Sequence, residues 1–246
     1  MEKNSFCIPE DVSVGDWIKA SLVPWVLDPG KNYYPVGITI PGGFESYVLV
    51  RHKGPGDTFG NLGEQTLTLL VEVLAKFTDT SSHCFMALWE GQGWMHSGSI
   101  SKFTPEKPLQ RRRLKFGRYS LLSFRSSTMR DLDQAEKNLD HLASNTLPHG
   151  IMTSARMKLP HRDYLLMCGE IWDATRIGYS FNEHSSTQSP NIMWPEDRAW
   201  ILASKIDFNA TLIAGTHELV EEVLQIEELA AEKFNWSDLI VDLPLI

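Results

Sequence analysis

Short apolar runs alternate with clusters of turn-forming residues along much of this chain of 246 residues. Runs of this length are too short for isolated helices and are typical of buried strands. They predict strands over residues 34–40, 44–52, 83–90, 118–124, 163–172, 199–206 and 211–214. Both alternating sets of side chains in 44–52 include apolar residues, so we expect a central strand that is covered on both faces.

Apolar residues at helical spacing predict helices as well. Asn61, followed three residues later by Glu64, is typical of a helix N-cap, and Thr216 is a second candidate cap. The helical pattern covers residues 63–78, 131–144 and 216–233, with a shorter helix within 16–25. The inner face of the last of the long helices is predicted to consist of Leu219, Val223, Ile226 and Ala230.

The helices fall at irregular intervals between the strands, which does not suit a regular βαβ repeat. We therefore expect an α+β fold, with a mostly antiparallel sheet of about five to seven strands and three main helices. Exposed loops are predicted over residues 97–108, 146–160 and 179–190. The length favours a single domain over residues 1–246, with a split near residues 95–115 as the alternative.

Residues 190–216 hold the densest group of large aromatic and charged side chains. Trp194 and Trp200 flank Asp197 and Arg198, and Asp207 lies at the turn of a predicted β-hairpin. This corner could be a polar site on a rigid hairpin. It could equally be structural, with the arginine paired to Asp207 or to a backbone carbonyl and the tryptophans in the core.

The charge of the chain limits its partners. A formal net charge of −8 and a pI near 5.5 argue against binding of nucleic acid or of an anionic membrane by the whole surface. Residues 102–130 are basic and include three consecutive arginines at 111–113. This stretch could attract an acidic partner or a phosphate, or it could be a solvated loop. No apolar run reaches the roughly 18 residues of a membrane-spanning helix.

Cysteine usage and the first residues predict the compartment. Cys7, Cys84 and Cys168 are far apart and show no metal-binding spacing, so we expect buried free thiols in a reducing compartment. The first residues contain no apolar segment typical of a signal peptide. We therefore expect a soluble, cytoplasmic protein.

The sequence contains none of the common short catalytic, phosphate-binding or calcium-binding motifs. Its eight histidines are scattered and do not show the spacing of metal ligands, so we expect no metal and no cofactor. Several charged and aromatic residues lie beside the ends of predicted strands, where functional sites often form. A pocket at these ends would consist of Trp89, Glu90, Arg162, Trp194, Asp197, Arg198 and Asp207.

The order of motifs around the corner resembles that of a family of uncharacterised bacterial proteins that is common in actinobacteria. These motifs are WPEDRAW (194–200), KID (205–207), and then Thr211 and Gly215 before a helix. The similarity extends to GFESYVLVRH (43–52), ALWEGQG (87–93) and LPHRDYLL (159–166), but not to the basic stretch or to residues 131–144. Similar sequences usually have an extra tryptophan where this chain has Met193. The resemblance implies no activity.

Two functions fit these observations. The first is a non-catalytic binding or interaction protein, of an immunity or regulatory type, with a possible protein partner; aromatic and charged corners suit recognition. The alternative is an enzyme that binds a small molecule in the strand-end pocket. Convergence of the seven pocket residues on one partly apolar cleft would favour the alternative. The sequence does not predict an oligomeric state.

Overall fold

The structure is a computed structural model, which describes residues 6–23, 33–92, 143–160, 162–181 and 184–241. The chain divides into two compact units, one with residues 1–90, 146–178 and 186–246, and one with residues 91–145 and 179–185. The predicted strand 118–124, the basic stretch and most of the predicted helix 131–144 lie outside the described residues. A single domain, or a split near 95–115, stays a prediction.

Three α-helices and thirteen strands occur within the described residues. The helices are α1 (Asp16–Ser21), α2 (Glu64–Leu74) and α3 (His217–Leu224). The strands are β1 (Tyr33–Pro35), β2 (Ser46–Arg51), β3 (Cys84–Trp89), β4 (Ala143–Asn145), β5 (Arg156–Leu159), β6 (Arg162–Gly169), β7 (Gly178–Phe181), β8 (His184–Thr187), β9 (Ile192–Pro195), β10 (Ile201–Ser204), β11 (Ala210–Gly215), β12 (Ala231–Phe234) and β13 (Leu239–Val241).

An antiparallel sheet of eight strands is the centre of the first unit. Its strand order is β12-β2-β11-β10-β9-β3-β6-β5, and neighbouring strands pair antiparallel throughout. Strands β1 and β13 form a separate pair, and β4, β7 and β8 form a small sheet of three strands. The α+β class and the antiparallel sheet are confirmed, while the main sheet has eight strands instead of the five to seven predicted.

Strand β2 shows how the main sheet is covered. Tyr47 and Leu49 belong to a buried cluster that also contains Ile18 of α1, whereas Val48 and Val50 are buried on the opposite face because side chains alternate along a strand. Helix α3 packs against β2, β11 and α2. The prediction that residues 44–52 form a central strand covered on both faces is therefore confirmed.

The strongest periodic patterns are correctly predicted. Helix α2 and the 3-10 helix at 75–77 account for the predicted helix 63–78, and β3 and β6 fall within or close to two predicted strands. Strands β10 and β11 form the predicted hairpin, with Ser204 opposite Thr211. Thr216 caps α3, since its hydroxyl accepts a hydrogen bond from the backbone N–H of Leu219 at 3.3 Å.

The predicted helix 216–233 is too long. Helix α3 ends at Leu224, and the chain continues through a 3-10 helix at 227–229 into the edge strand β12. Ala230, predicted on the inner face of the helix, has a φ of 42°, which no right-handed helix contains. Leu219 and Val223 are buried as predicted. The apolar spacing of the segment therefore continues beyond the helix that it predicted.

Other predicted elements differ from the structure. Residues 36–38 form a 3-10 helix where a strand was predicted, and the predicted loops contain strand β5, most of β7 and all of β8. Gly63, not Asn61, is the N-cap of α2. The Asn61 side chain instead accepts hydrogen bonds from the Ser189 backbone and from the Gln188 amide. Polar residues in these segments make tertiary contacts that no local pattern indicates.

The cysteine prediction is wrong for two of the three residues. Cys7 and Cys168 form a disulfide, and their backbones also exchange hydrogen bonds of 2.7 and 2.9 Å, so the N-terminal segment pairs with the edge of β6 beyond β5. A sequence separation of 161 residues hides this pairing from any spacing rule. Cys84 is a buried free thiol as predicted, and burial raises its pKa to about 12.

Across the described part of the chain, no helix has the length and apolarity needed to cross a membrane.

Candidate functional site

The seven predicted pocket residues separate into groups along the main sheet. Arg198 precedes β10 and Asp207 follows it, so the two lie toward opposite ends of that strand. Trp89, Arg162 and Asp207 come together at one end. Trp194, Asp197 and Arg198 lie toward the other. Glu90 follows Trp89 but pairs with Arg156, whose Nε lies 2.8 Å from its Oε2.

Trp194 is a core residue. It is 1% exposed, stacks on Phe85 with ring centroids 5.3 Å apart, and meets Trp17 edge-on at 6.3 Å. Trp200 is also fully buried. Both tryptophans therefore lie in the core, as the structural interpretation of the corner expects.

The charged corner itself is exposed and held by local hydrogen bonds. Burial alone would raise the pKa of Asp197, but hydrogen bonds, above all from the Thr78 hydroxyl at 2.7 Å, hold it below its ordinary value. Arg198 has a φ of 55° and lies over the ring of Trp17, with its guanidinium carbon 5.3 Å from the centroid. Asp207, one of the two partners predicted for Arg198, pairs with Arg162 instead.

Arg162 is a mostly buried cation at the other end of the sheet. Its Nη2 donates a hydrogen bond to Oδ2 of Asp207, and its guanidinium lies 5.3 Å from the ring centroid of Trp89. The Arg162 side chain is only 15% exposed. A guanidinium has five N–H donors, and the Nη2 bond to Asp207 uses one of them. The guanidinium is therefore held in place by Asp207 and Trp89, and its other N–H donors are not used by the bond to Asp207.

A small cleft opens beside Arg162 in the first unit. Its polar lining residues are Thr39, Arg162, Tyr164, Asn191, Ser204 and Lys205, and Leu22 and Ile192 are among its apolar ones. We call it the Arg162–Lys205 cleft. Its volume is about 40 Å³, which is room for about three water molecules. The buried hydroxyl of Thr39 has no hydrogen-bond partner among the described residues.

The electrostatics of the cleft favour anions. Burial lowers the pKa of Lys205 to about 8; Asp207 opposes this change and Arg162 adds to it. The ammonium also lies 5.2 Å from the ring centroid of Phe208. Burial raises the pKa of Tyr164 to about 12, so its phenol stays protonated and can donate a hydrogen bond. Two cationic side chains and a phenol thus line one confined space.

Asn191 fixes the backbone around the cleft. It is 1% exposed, and its amide nitrogen donates to the carbonyls of Gly60 and Ser204 at 3.1 and 3.2 Å. Its amide oxygen accepts from the backbone N–H of Trp89 at 2.9 Å. One side chain therefore ties together β3, the end of β10 and the loop before α2.

A series of hydrogen bonds between buried polar side chains begins at Ser204. The Ser204 and Thr211 hydroxyl oxygens are 2.5 Å apart, and Thr211 lies 2.8 Å from Nε2 of His52. Nδ1 of His52 lies 2.6 Å from the carbonyl oxygen of Thr58, so Nδ1 carries the proton and Nε2 accepts from Thr211. Burial lowers the pKa of His52. A neutral imidazole completes this chain of hydrogen bonds.

Sequence reasoning missed Lys205, Tyr164, Thr39 and Asn191 as site residues. Lys205 offered the one usable signal, since it interrupts an apolar run immediately before the hairpin turn. The other three lie in runs that gave no indication of a shared cleft. Within the described residues, no group of three or more His, Cys, Asp or Glu side chains lies close enough together to hold a metal ion.

Comparisons of the chain with models of protein families, with curated proteins and with solved structures gave no match in any of the three.

Proposed function

We propose that this protein is a non-catalytic binding protein, and that the Arg162–Lys205 cleft binds a small anionic group of its ligand. The observation that carries the proposal is the placement of two cationic side chains in one small cleft. Charge-assisted hydrogen bonds to a carboxylate or phosphate are about twice as strong as neutral ones. Trp89 and Asp207 support this role because they hold the guanidinium of Arg162 in position.

The described surface also favours recognition by charge. Among the described residues, the large hydrophobic side chains that are exposed are Met152 at 36% and Trp172 at 41%. Apolar docking surfaces are usually contiguous patches of several hundred Å². Two single side chains support no such patch, so a ligand or a protein partner of this unit is expected to present an anionic group.

The proposal is tested by calorimetric titration with acetate, phosphate and sulfate. We expect one of these anions to bind the wild type, and the affinity to fall about tenfold or more in Arg162→Gln and in Lys205→Gln, since a hydrogen bond to a charged group contributes about 1.5–3 kcal/mol. Asp207→Asn is expected to weaken binding, because it removes the carboxylate that holds the guanidinium in position and raises the pKa of Lys205.

Arg156→Gln is the matched control. Arg156 is 19% exposed and pairs with Glu90, much as Arg162 is 15% exposed and pairs with Asp207, but Arg156 does not line the cleft. The control is expected to bind anions as the wild type does. The proposal is refuted if no anion binds at millimolar concentration, or if Arg156→Gln and Arg162→Gln weaken binding equally.

A second candidate function is an enzyme acting on a small molecule in the same cleft. The pKa of about 8 for Lys205 favours it, because a lysine that is partly neutral near pH 7 can act as a base or a nucleophile. Turnover of a candidate substrate that disappears in Lys205→Gln would support the enzyme over the binding protein.

A further inference from the structure

We infer that Lys205 captures a small 2-oxo acid as a reversible imine while Arg162 binds the carboxylate of that acid, an inference that rests on the proposed function. It names the chemical class of ligand that the Arg162–Lys205 cleft takes. Three features of the cleft carry it: a fixed guanidinium, a partly buried amine and a small volume.

The guanidinium of Arg162 is prepared for a carboxylate. Its fork is held by Asp207 on one side and by the face of Trp89, 5.3 Å away. A guanidinium fixed in this way loses little conformational entropy when a planar anion binds to its remaining donors. A carboxylate is the planar anion that this geometry recognises best.

The amine of Lys205 has the properties of a nucleophile. Lys205 lines the same cleft as Arg162, and the charge of the guanidinium acts on the amine. The titratable groups that act on it are Asp207, which raises the pKa of the amine, and Arg162, which lowers it. Burial outweighs both and lowers the pKa of the amine to about 8. Roughly a tenth of the lysine is therefore neutral at pH 7.

The volume of the cleft limits the ligand. About 40 Å³ holds about three water molecules, which matches the carboxylate and carbonyl groups of an acid of two or three carbons.

The chemistry is balanced and needs no co-reactant. The lone pair of the neutral amine attacks the carbonyl carbon, a C–N bond forms, and the proton lost by nitrogen passes to the carbonyl oxygen. The resulting carbinolamine loses its hydroxyl group and the remaining N–H proton as one water molecule, leaving the C=N bond. Addition of water reverses both steps, and no atom is oxidised or reduced.

Glyoxylate with sodium cyanoborohydride tests the inference on the full chain. The reagent reduces an imine to a stable secondary amine, so each captured glyoxylate adds one carboxymethyl group to a lysine, which peptide mass mapping locates. We expect labelling at Lys205 ahead of the exposed Lys76 and Lys233, whose side chains are 61% and 50% exposed. The rate at Lys205 should reach half its maximum near pH 8.

Acetaldehyde is the control probe, because it has the same carbon skeleton length but no carboxylate. Glyoxylate should label Lys205 at least about tenfold faster than acetaldehyde in the wild type and in Arg156→Gln. Arg162→Gln should abolish this preference. Because Arg162 lowers the pKa of Lys205, the variant also changes the neutral fraction of the amine, but this changes the labelling rates of both probes by the same factor and leaves their ratio unaffected. Circular dichroism of each variant shows whether it is folded.

The outcomes separate the inference from the proposed function. Equal labelling of Lys205 and the exposed lysines, or an undiminished preference for glyoxylate in Arg162→Gln, overturns the imine. If acetate binds in the Arg162–Lys205 cleft but glyoxylate leaves no adduct on Lys205, the imine is refuted and the anion site stands. If acetate, phosphate and sulfate all fail to bind and glyoxylate leaves no adduct on Lys205, both proposals are refuted.

Discussion

Replacement of Trp194 by alanine tests whether the tryptophan corner anchors the folded body. Trp194 lies in β9, is 1% exposed, and contacts the rings of Phe85 and Trp17 on the face of the sheet that α1 covers. Truncation of a buried Phe or Trp to Ala costs about 3–5 kcal/mol, because the apolar contacts are lost and a cavity is left. The stacked arrangement on Phe85 places the expected value in the upper part of this range.

The magnitude translates into a shift of the melting temperature. For a chain of 150–250 residues, 1 kcal/mol changes the Tm by about 2–4 °C, so Trp194→Ala should melt at least about 6 °C below the wild type. Thermal unfolding followed by circular dichroism measures the shift, and urea titration gives the free energy of unfolding independently.

Trp172→Ala is the matched control for Trp194→Ala. The same residue type is removed, but Trp172 is 41% exposed, so its replacement should change the free energy of unfolding by no more than about 0.5 kcal/mol. If the two variants unfold at the same temperature, Trp194 does not anchor the sheet and the packing described for the corner is wrong.

Three further predictions test separate parts of the structure. Dithiothreitol should lower the free energy of unfolding of the wild type by about 2–4 kcal/mol in urea titrations. Cys7→Ser cannot form the disulfide with Cys168, so its free energy of unfolding should be lower than that of the wild type and should not change when dithiothreitol is added. Because the pKa of His52 is below 6.5 in the folded state, the unfolded chain gains the proton first, so stability should decrease as pH falls from 6.5 toward the folded pKa; His52→Gln should lack this part of the slope. Asp197→Ala removes the acceptor of several hydrogen bonds and should cost about 1–2 kcal/mol by thermal unfolding, whereas a cost no greater than that of the exposed Glu196→Ala would contradict the hydrogen bonds described for the corner.

The local hydrophobic pattern predicted those helices and strands in which buried side chains recur at regular spacing. Helix α2 follows from Leu67, Leu70 and Leu74 at helical spacing, and all three are fully buried. The β10–β11 hairpin follows from two apolar runs around turn residues. Edge strands were missed because they are half exposed. In strand β12, for example, buried and exposed side chains do not alternate clearly, and its apolar residues continue the spacing of α3.

The candidate site was only partly predictable. Trp89, Arg162 and Asp207 were correctly expected at strand ends, and the structure brings these three together. Asp207 was one of two partners expected for Arg198, the other being a backbone carbonyl. A strand of four residues lies between them, however, and an extended strand carries its two ends apart.

The sequence by itself determined the α+β class, the central strand β2 and the main hairpin, because each depends on periodic burial of nearby residues. Only the tertiary structure decided the pairing of Cys7 with Cys168 and the placement of Arg162 and Lys205 along one cleft. Both depend on sheet order and register, which bring together residues far apart in the chain. A hydrophobic pattern specifies which face of an element is buried, but it does not specify which distant element covers that face.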